Sequence, residues 1–351
     1  MHIGIPREIK PLEGRVALLP DTCRQLVEAG HHVLLEHDAG MPSGYPDAGY
    51  VDAGVRIAGD HAEVFAESEL IVKVKEPQPA ELDLLKPEHC LFSFLHLAAE
   101  PELTERLQAI GLTAVGFETV EEDNGNLPVL APMSNIAGRI ATQAATTLLH
   151  RPHGGKGQLL GGIPLACRGR VVVIGAGSAG GNAAQLAAAI GAEVTVFDLC
   201  RERLTAMHGL GHNVTALYPC KAALEKAVAL ADIVIGAVLN TGRKAPHVVT
   251  REMIRQMEPG SVVVDISVDQ GGCIETTRPT TYANPTYIEE GVVHFTVTNM
   301  PGAVPRTASQ ALSAVLTPYV QTIAEPDWKS AKPLSRGINI EAGIIRHPAL
   351  K

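Results

Sequence analysis

The stretch RVVVIGAGSAGGNAAQLAAAIGAEVTVFD, residues 170–198, decides the fold of this chain. The apolar run at 171–174 is typical of a strand covered on both faces. Three glycines in a G-x-G-x-x-G pattern follow: Gly175, Gly177 and Gly180. An alanine-rich helix then ends at Gly191, and a second apolar strand is predicted at 194–197. The stretch therefore predicts a complete βαβ unit.

Each glycine has a predicted role in dinucleotide binding. Gly175 permits the tight turn, Gly177 lets the backbone approach a pyrophosphate, and Gly180 lets the helix pack closely on the strand. The helix N-terminus directs N–H groups and partial positive charge at the phosphates. Asp198 closes the second strand, where a carboxylate accepts both ribose hydroxyls and repels a 2′-phosphate. The motif therefore predicts NAD as the cofactor, in preference to NADP.

The composition is that of a compact α/β enzyme. A length of 351 residues suggests two domains, and 46% hydrophobic with 19% charged residues excludes a disordered or fibrous chain. The net charge of −9 argues against a nucleic-acid partner. No apolar run reaches membrane-spanning length, and MHIGIPREIK does not resemble a signal peptide. We therefore expect a cytoplasmic protein with no membrane partner.

The cysteines and histidines do not form a recognisable metal motif. The six cysteines are scattered without a C-x-x-C pair, which is typical of reduced thiols in a cytosolic protein. The 14 histidines show no H-x-x-x-H or His/Cys spacing. We expect no metal site and no protein-ligated zinc.

The first part of the chain alternates apolar and helical segments but has no glycine fingerprint. Strands are predicted at HIGIPRE, HVLLEH, ELIVKVK (69–75), HCLFSFLH (89–96) and TAVGFETV (113–120). Later strands are predicted at ADIVIGAVL and SVVVDIS, residues 294–307 are expected to leave the sheet, and a long helix follows to residue 323.

The expected architecture is α/β, with two Rossmann-like doubly wound domains and the NAD domain inserted in a discontinuous substrate domain. The predicted substrate domain comprises residues 1–130 and 306–351, and the predicted NAD-binding domain comprises residues 131–305. We expect the active site in the cleft between them.

Several stretches together resemble bacterial L-alanine dehydrogenases, over nearly the whole chain. They are GIPREIKPLEGRVALLP, VKVKEP, LFSFLHLA, PMSNIAGRIA, GGKGQLLGG, the glycine fingerprint, DISVDQGGCIETTRPTTY and NMPGAVPRT. The same fold family includes the nucleotide-binding part of proton-translocating transhydrogenase and saccharopine dehydrogenase. The resemblance implies reversible, NAD-dependent oxidative deamination of L-alanine to pyruvate and ammonia by a homo-hexamer. The apolar face of residues 308–323 is a candidate subunit contact.

The resemblance also implies roles for four residues. Arg15 and Lys75 would bind substrate, because a carboxylate needs a fixed cation and arginine offers a planar fork for it. His96 and Asp269 would transfer protons as the amine becomes an imine and water adds. Without the resemblance, these residues are an ordinary pair of surface cations, a solvent-facing histidine and a turn aspartate.

For the cofactor, the resemblance implies Ser134 near the nicotinamide or phosphates. Residues matching the lining of the adenine and nicotinamide ends are Arg203, Leu239, Asn299 and Met300. Arg203 would flank the ribose and weaken the discrimination against NADP. Cys220 stands where a small polar residue is expected, so its contact with cofactor is an open question.

The chain departs from the family pattern around the substrate. Asn135 replaces a glutamate, while Phe94 and Phe117 stand where tyrosine is common; fewer hydroxyls make a drier pocket. Serine, 2-aminobutyrate or glyoxylate are therefore alternative substrates, since one methylene is worth only about 1–3 kcal/mol. Glu118 has three alternative roles: it is a structural carboxylate, it shapes the pocket, or it helps bind a cation.

The rival functions are a transhydrogenase component, which passes hydride to a partner's NADP, and an NAD-binding sensor without turnover.

Overall fold

The structure, a computed structural model, describes residues 1–238 and 245–351. The chain forms two compact units: unit 1 comprises Met1–Met133 and Gly302–Lys351, and unit 2 comprises Ser134–Pro301. Unit 2 is thus inserted in the sequence of unit 1, and the predicted α/β architecture is confirmed. No helix in the described ranges is both long enough and apolar enough to cross a bilayer.

Unit 1 contains a mostly parallel sheet. Its strands are β1 His2–Ile5, β2 His32–Glu36, β3 Arg56–Ala58, β4 Leu70–Val72, β5 Cys90–Ser93, β6 Thr113–Gly116, β14 Ile338–Glu341 and β15 Ile344–Ile345. They lie in the order β15-β14-β6-β5-β4-β1-β2-β3. Strands β1 to β6 are parallel, whereas β14 pairs antiparallel with both β6 and β15.

The helices of unit 1 pack around this sheet. They are α1 Pro20–Glu28, α2 Asp47–Val51, α3 His61–Glu67, α4 Pro79–Leu82, α5 Pro101–Ile110, α11 Pro305–Ile323 and α12 Lys332–Gly337. The apolar face of α11 is buried, including Leu312, Leu316 and Val320. Thr22 of α1 bonds to this helix through the Ser313 hydroxyl. The expectation that this apolar face contacts another subunit is therefore wrong, because the chain covers that face itself.

Unit 2 contains the glycine fingerprint. Its strands are β7 Arg170–Ile174, β8 Glu193–Phe197, β9 Val214–Leu217, β10 Ile233–Gly236, β11 Val262–Asp265, β12 Thr286–Glu289 and β13 Val292–Phe295. Its helices are α6 Leu130–Leu148, which begins just before the unit, α7 Ser178–Ile190, α8 Arg201–His208, α9 Lys221–Ala229 and α10 Arg251–Arg255. The strand order is β12-β13-β11-β10-β7-β8-β9, parallel except for β12.

Alternate residues of β7 enter different cores. Val171 and Val173 pack in one apolar cluster, and Val172 and Ile174 pack in another. Because successive side chains of a strand point to opposite faces, both faces of the sheet are covered. This double burial explains why the strand is a continuous apolar run.

Several predicted segments differ from the structure. The strands predicted at 69–75 and 113–120 end at Val72 and Gly116, where irregular backbone begins. Residues 294–307 do not leave the sheet at once, since His294 and Phe295 complete β13, which pairs with β11. These ends are set by side-chain contacts with other parts of the fold, described below.

Candidate functional site

The sheet of unit 1 has a topological switch point between β1 and β4. The chain proceeds from β1 outward to β2 and β3, then returns with β4 on the other side of β1. Open α/β sheets bind ligands beyond the carboxyl ends of their strands at such a point. Arg15 lies in the segment after β1, Lys75 just after β4, and His96 just after the adjacent β5. The structure therefore brings these three predicted residues to one edge of one sheet.

The Arg15 side chain is buried and held by Glu13. Its Nε donates to Glu13 Oε1 at 2.7 Å and its Nη2 to Oε2 at 2.5 Å, a bidentate pair. The Glu13 carboxylate also accepts the Arg15 backbone N–H. Arg15 Nη1 lies 3.3 Å from Met133 Sδ, a weak acceptor. The guanidinium plane is thus fixed by its own loop.

A cleft of about 430 Å³ adjoins this arginine, in the size range of small-molecule sites. It lies within unit 1, and residues of the segment after β1 form most of its wall. The lining residues are Arg7, Glu8, Ile9, Glu13, Gly14, Arg15, Ala39 and Pro42. Cationic and carboxylate groups face the same space, which suits a small polar ligand.

Lys75 is also largely buried, with 8% of its surface exposed. Its Nζ lies 4.0 Å from Glu76 Oε2, and Glu76 also pairs with Lys10 of the loop after β1. Burial alone would raise the pKa of Glu76, but Lys75 and Lys10 together lower it. An ionised Glu76 therefore links the loop carrying Lys75 to the loop after β1.

His96 has a strained backbone and is held by Glu118. Its φ of 50° is in the left-handed region, which is uncommon for a residue other than glycine. Glu118 Oε1 accepts the His96 N–H at 2.7 Å, and Oε2 accepts the Leu95 N–H at 3.2 Å. The half-buried imidazole stacks on Phe94, with ring centroids 5.8 Å apart. Among its possible roles, Glu118 therefore acts structurally, since its carboxylate holds the turn that presents His96.

The Phe94 ring in turn meets the edge of Phe117, at 5.0 Å between centroids. Both phenylalanines are buried, so an apolar wall lies against His96. Tyrosine at these positions would add hydroxyl groups that this wall lacks.

The glycine loop of unit 2 has the geometry that its spacing predicts. Gly175 has a φ of 93°, and a Cβ at Gly180 would lie 1.8 Å from the Gly175 carbonyl oxygen. By contrast, a Cβ at Gly177 would meet its nearest non-neighbouring atom in the described residues, Arg203 Nη1, only at 3.9 Å. The N-terminus of α7, capped by Gly177 without a side chain, therefore has open space beside it.

Asp198 lies beside this loop, at the end of β8. Its Oδ2 accepts the Ala176 N–H at 2.6 Å and its Oδ1 accepts the Cys200 N–H at 2.7 Å. Arg203 Nη1 is 3.9 Å from Asp198 Oδ2, and its side chain is largely exposed. The predicted ribose-binding carboxylate and its flanking arginine are therefore neighbours.

Asp269 is exposed in the 3-10 helix Ile266–Gln270, directly after β11. The buried Asp265 organises this turn by accepting the Ser267 and Cys273 N–H groups at 2.9 and 2.8 Å. Burial raises the pKa of Asp265 despite these bonds. Asp265 thus plays the positional part for Asp269 that Glu118 plays for His96.

The remaining predicted cofactor residues lie at separate places in unit 2. Asn299, with a φ of 59°, and the buried Met300 follow β13. Ser134 is half-buried in α6, and Cys220 is exposed at the N-cap of α9. Leu239 lies outside the described residues.

Asn135 accepts a hydrogen bond from Asn182 of α7 at 3.0 Å. The amide thus joins α6 to α7 within unit 2.

Sequence reasoning missed the buried acids that hold these loops. Glu8 and Asp265 lie inside the predicted strands HIGIPRE and SVVVDIS, and Glu13 lies five residues after the first of these strands. Lys73 was also missed, although it alternates with Lys75 in KVK and so shares its face of an extended segment. A charged residue inside an apolar strand run was the available signal.

Comparison with known proteins supports one family for both units. The profile "Alanine dehydrogenase/PNT, N-terminal domain" matches residues 4–137, and "Alanine dehydrogenase/PNT, C-terminal domain" matches residues 141–348. The alanine dehydrogenase of Bacillus subtilis is 46% identical, covering 100% of this chain and 94% of the relative. That of Halomonas elongata is 45% identical, covering 100% and 96%.

Solved structures agree. An L-alanine dehydrogenase superposes with a TM-score of 0.95 at 48% identity, covering 100% of this chain and 98% of that one. A transhydrogenase from Sinorhizobium meliloti superposes with a TM-score of 0.84 at 27% identity, covering 99% and 100%. With both domain profiles matched and nearly half of all residues identical over its full length, this chain belongs to the alanine dehydrogenase/PNT family.

Proposed function

We propose that this protein is an NAD-dependent L-alanine dehydrogenase. The reaction is L-alanine, NAD⁺ and water to pyruvate, ammonium, NADH and a proton, and it is reversible. The observation that carries the proposal is the pair of buried cations, Arg15 and Lys75, on the two loops that flank the switch point of unit 1. Buried cations at a ligand-binding edge favour a small carboxylate substrate. The full-length similarity to alanine dehydrogenases supports L-alanine and pyruvate in that role.

Arg15 and Lys75 bind and orient the substrate carboxylate in this proposal. Glu13 holds one edge of the guanidinium, through Nε and Nη2, so the group loses little freedom when it binds a ligand. A carboxylate is a stronger acceptor than the Met133 thioether near Nη1. Substrate binding therefore needs no large reorganisation of the arginine.

His96 and Asp269 move the protons. The amine must lose a proton as hydride leaves Cα, and water must then add at that carbon and lose protons while ammonia leaves. We assign these transfers to the His96 imidazole and the Asp269 carboxylate, since both follow strand ends at ligand-binding edges. Glu118 and Asp265 keep their backbones in place.

NAD, when bound, supplies the hydride acceptor. Gly175, Gly177 and Gly180 would receive its pyrophosphate at the N-terminus of α7, where the space beside Gly177 fits the group. Asp198 would accept the ribose hydroxyls, and Arg203 would lie beside them. We extend the cofactor site to Ser134, Cys220, Leu239, Asn299 and Met300 on family resemblance. We assign unit 2 as the NAD-binding domain and unit 1 as the substrate domain.

The test is NADH formation from L-alanine and NAD at alkaline pH, followed at 340 nm. Turnover with alanine supports the proposal. No turnover with alanine, together with hydride transfer to NADP in the presence of a partner, would instead favour a transhydrogenase component. Serine, 2-aminobutyrate and glyoxylate assayed alongside will define the substrate range that the Phe94 and Phe117 wall permits.

We further propose that the enzyme is a cytoplasmic homo-hexamer. The assembly rests on family resemblance, and the scattered cysteines without a C-x-x-C pair are consistent with a reducing compartment. Light scattering that gives the mass of six chains supports the assembly, and the mass of one 37.1 kDa chain would refute it.

A further inference from the structure

Two buried side chains hold the backbone of Lys75 from both sides. Glu8 Oε1 accepts the Val74 N–H at 2.6 Å and the Lys75 N–H at 3.3 Å. Lys73 Nζ donates to the Lys75 carbonyl oxygen at 3.2 Å. The donor and the acceptor of the Lys75 peptide groups are therefore both bound by ionic side chains instead of by a sheet neighbour.

The two clamping side chains also pair with each other. Lys73 Nζ lies 3.2 Å from Glu8 Oε2 and 3.1 Å from Glu81 Oε1. The Lys73 and Glu81 side chains are fully buried, and the Glu8 side chain is 3% exposed. Removing one member of such a cluster leaves an uncompensated buried charge, so the members fix one another's positions.

The cluster continues to His61 and Glu36. His61 bonds to Glu81 at 3.1 Å and to Glu36 at 2.6 Å, and Glu36 accepts the Arg7 N–H at 2.8 Å. Arg7 and Glu8 belong to the segment after β1 that also carries Arg15. The cluster therefore ties this segment to the one after β4.

We propose that Glu8 and Lys73 are positioning residues for substrate binding, which act by setting the place of the Lys75 ammonium. This inference rests on the proposed function, because it takes Lys75 as a ligand of the pyruvate or alanine carboxylate. Lys75 has a flexible four-carbon stem, so its charge is placed well only if its backbone is fixed. A displacement of the backbone moves the ammonium away from the carboxylate and weakens binding.

A double-mutant cycle tests the proposal on the full-length protein. Pyruvate is titrated calorimetrically into each variant saturated with NAD, a combination that gives no turnover. Glu8→Gln keeps an amide oxygen for the N–H groups of Val74 and Lys75 but turns an NH₂ group toward Lys73. The contact between residue 8 and Lys73 is therefore disturbed. We expect the Kd of pyruvate to rise about 10-fold or more in this variant. In a Lys75→Ala background the same change should alter the Kd by less than about 3-fold, because the group that Glu8 positions is gone.

A second variant guards against misfolding of the first. Glu8→Gln/Lys73→Met replaces the Glu8–Lys73 ion pair by a neutral pair of similar volume, which buried sites tolerate better than a lone charge, and Glu81 keeps His61 as its ionic partner. It should also weaken pyruvate binding about 10-fold or more, since the Lys75 carbonyl loses its donor. The matched control is Asp232→Asn: Asp232 is buried, pairs with Lys156 and accepts the Arg170 N–H at 2.5 Å, at the amino ends of the unit 2 strands. The Kd of pyruvate for the Asp232→Asn variant should stay within about 2-fold of wild type.

The results distinguish failure of the positioning role from failure of the proposed function. Unchanged pyruvate affinity in both Glu8 variants, or an equal loss with and without Lys75, would overturn the positioning role. So would a Lys75→Ala protein with wild-type pyruvate affinity. A wild-type protein that neither forms NADH from L-alanine nor binds pyruvate would refute the proposed function, and the inference with it.

Discussion

The charge of His61 should make the stability of unit 1 depend on pH. Its Nδ1 faces Glu36 and its Nε2 faces Glu81, whose carboxylate also contacts Lys73. Burial alone would lower the pKa of this imidazole, but the hydrogen bonds and charges of the two glutamates raise it from 6.5 to about 9. Because the folded pKa is above the unfolded one, the stabilisation is fully present below pH 6.5 and is lost as the pH rises through 9.

The size of the change in stability follows from how far the pKa of His61 is raised. A change from 6.5 to about 9 corresponds to roughly 3 kcal/mol at most. The side chain is 19% exposed, so solvent screening reduces this to about 2 kcal/mol. We expect His61→Gln to lower the Tm at pH 6, and the gap to wild type to shrink by ~4–8 °C between pH 6 and pH 10.

Thermal melts of the two proteins across this pH range measure the gap directly. His212→Gln, at an exposed position, is the matched control for the loss of an imidazole. A gap for His61→Gln that stays constant, or that widens as the pH rises, would refute the charged state assigned to His61.

Three further predictions concern catalysis and cofactor. His96→Ala and Asp269→Ala should each lower kcat about 10²–10⁴-fold in steady-state assays, with NADH affinity by fluorescence titration unchanged; equal loss of NADH binding would show these roles to be misassigned. Asp198→Gly should raise the ratio of kcat/KM for NADP to that for NAD, and an unchanged ratio would remove the carboxylate from the ribose site. Gly177→Ala should keep the wild-type Tm but weaken NAD binding, whereas Gly180→Ala should lower the Tm, because only its Cβ meets backbone, at 1.8 Å; the reverse pattern would contradict the loop geometry.

The fingerprint could be predicted because its information is local. Gly175 needs a positive φ, Gly180 needs close packing, and both requirements appear as residue types at fixed spacing. The apolar run of β7 likewise reports burial on both faces. The α/β architecture and the family followed from these local features and from the quoted motifs.

The ends of several strands could not be predicted, since they depend on residues distant in sequence. β4 ends at Val72, and two residues later the Val74 N–H donates to Glu8, which lies 66 residues earlier in the chain. β6 stops at Gly116, where the chain turns so that Glu118 reaches the His96 N–H. β14 is a strand through its antiparallel pairing with β6, and the sequence near Ile338 has no signal for that partner.

The sequence predicted the residues of the candidate site but not the side chains that hold them in place. Arg15, Lys75 and His96 were found by resemblance, and the switch point explains why three distant segments reach one edge. The acids behind them, such as Glu13 and Glu118, have no spacing of their own, because each is defined by the loop it binds. Periodicity identifies which face a side chain shares, and does not identify its partner.

We propose that Arg15, Lys75, His96 and Asp269 bind and act on one substrate. The most direct measurement is a crystal structure of the protein with NAD and pyruvate bound. We predict the pyruvate carboxylate on Arg15 and Lys75, with His96 and Asp269 within hydrogen-bond reach of the keto group or its attacking water. Pyruvate bound away from these side chains, or Asp269 directed away from the ligand, would contradict the claim.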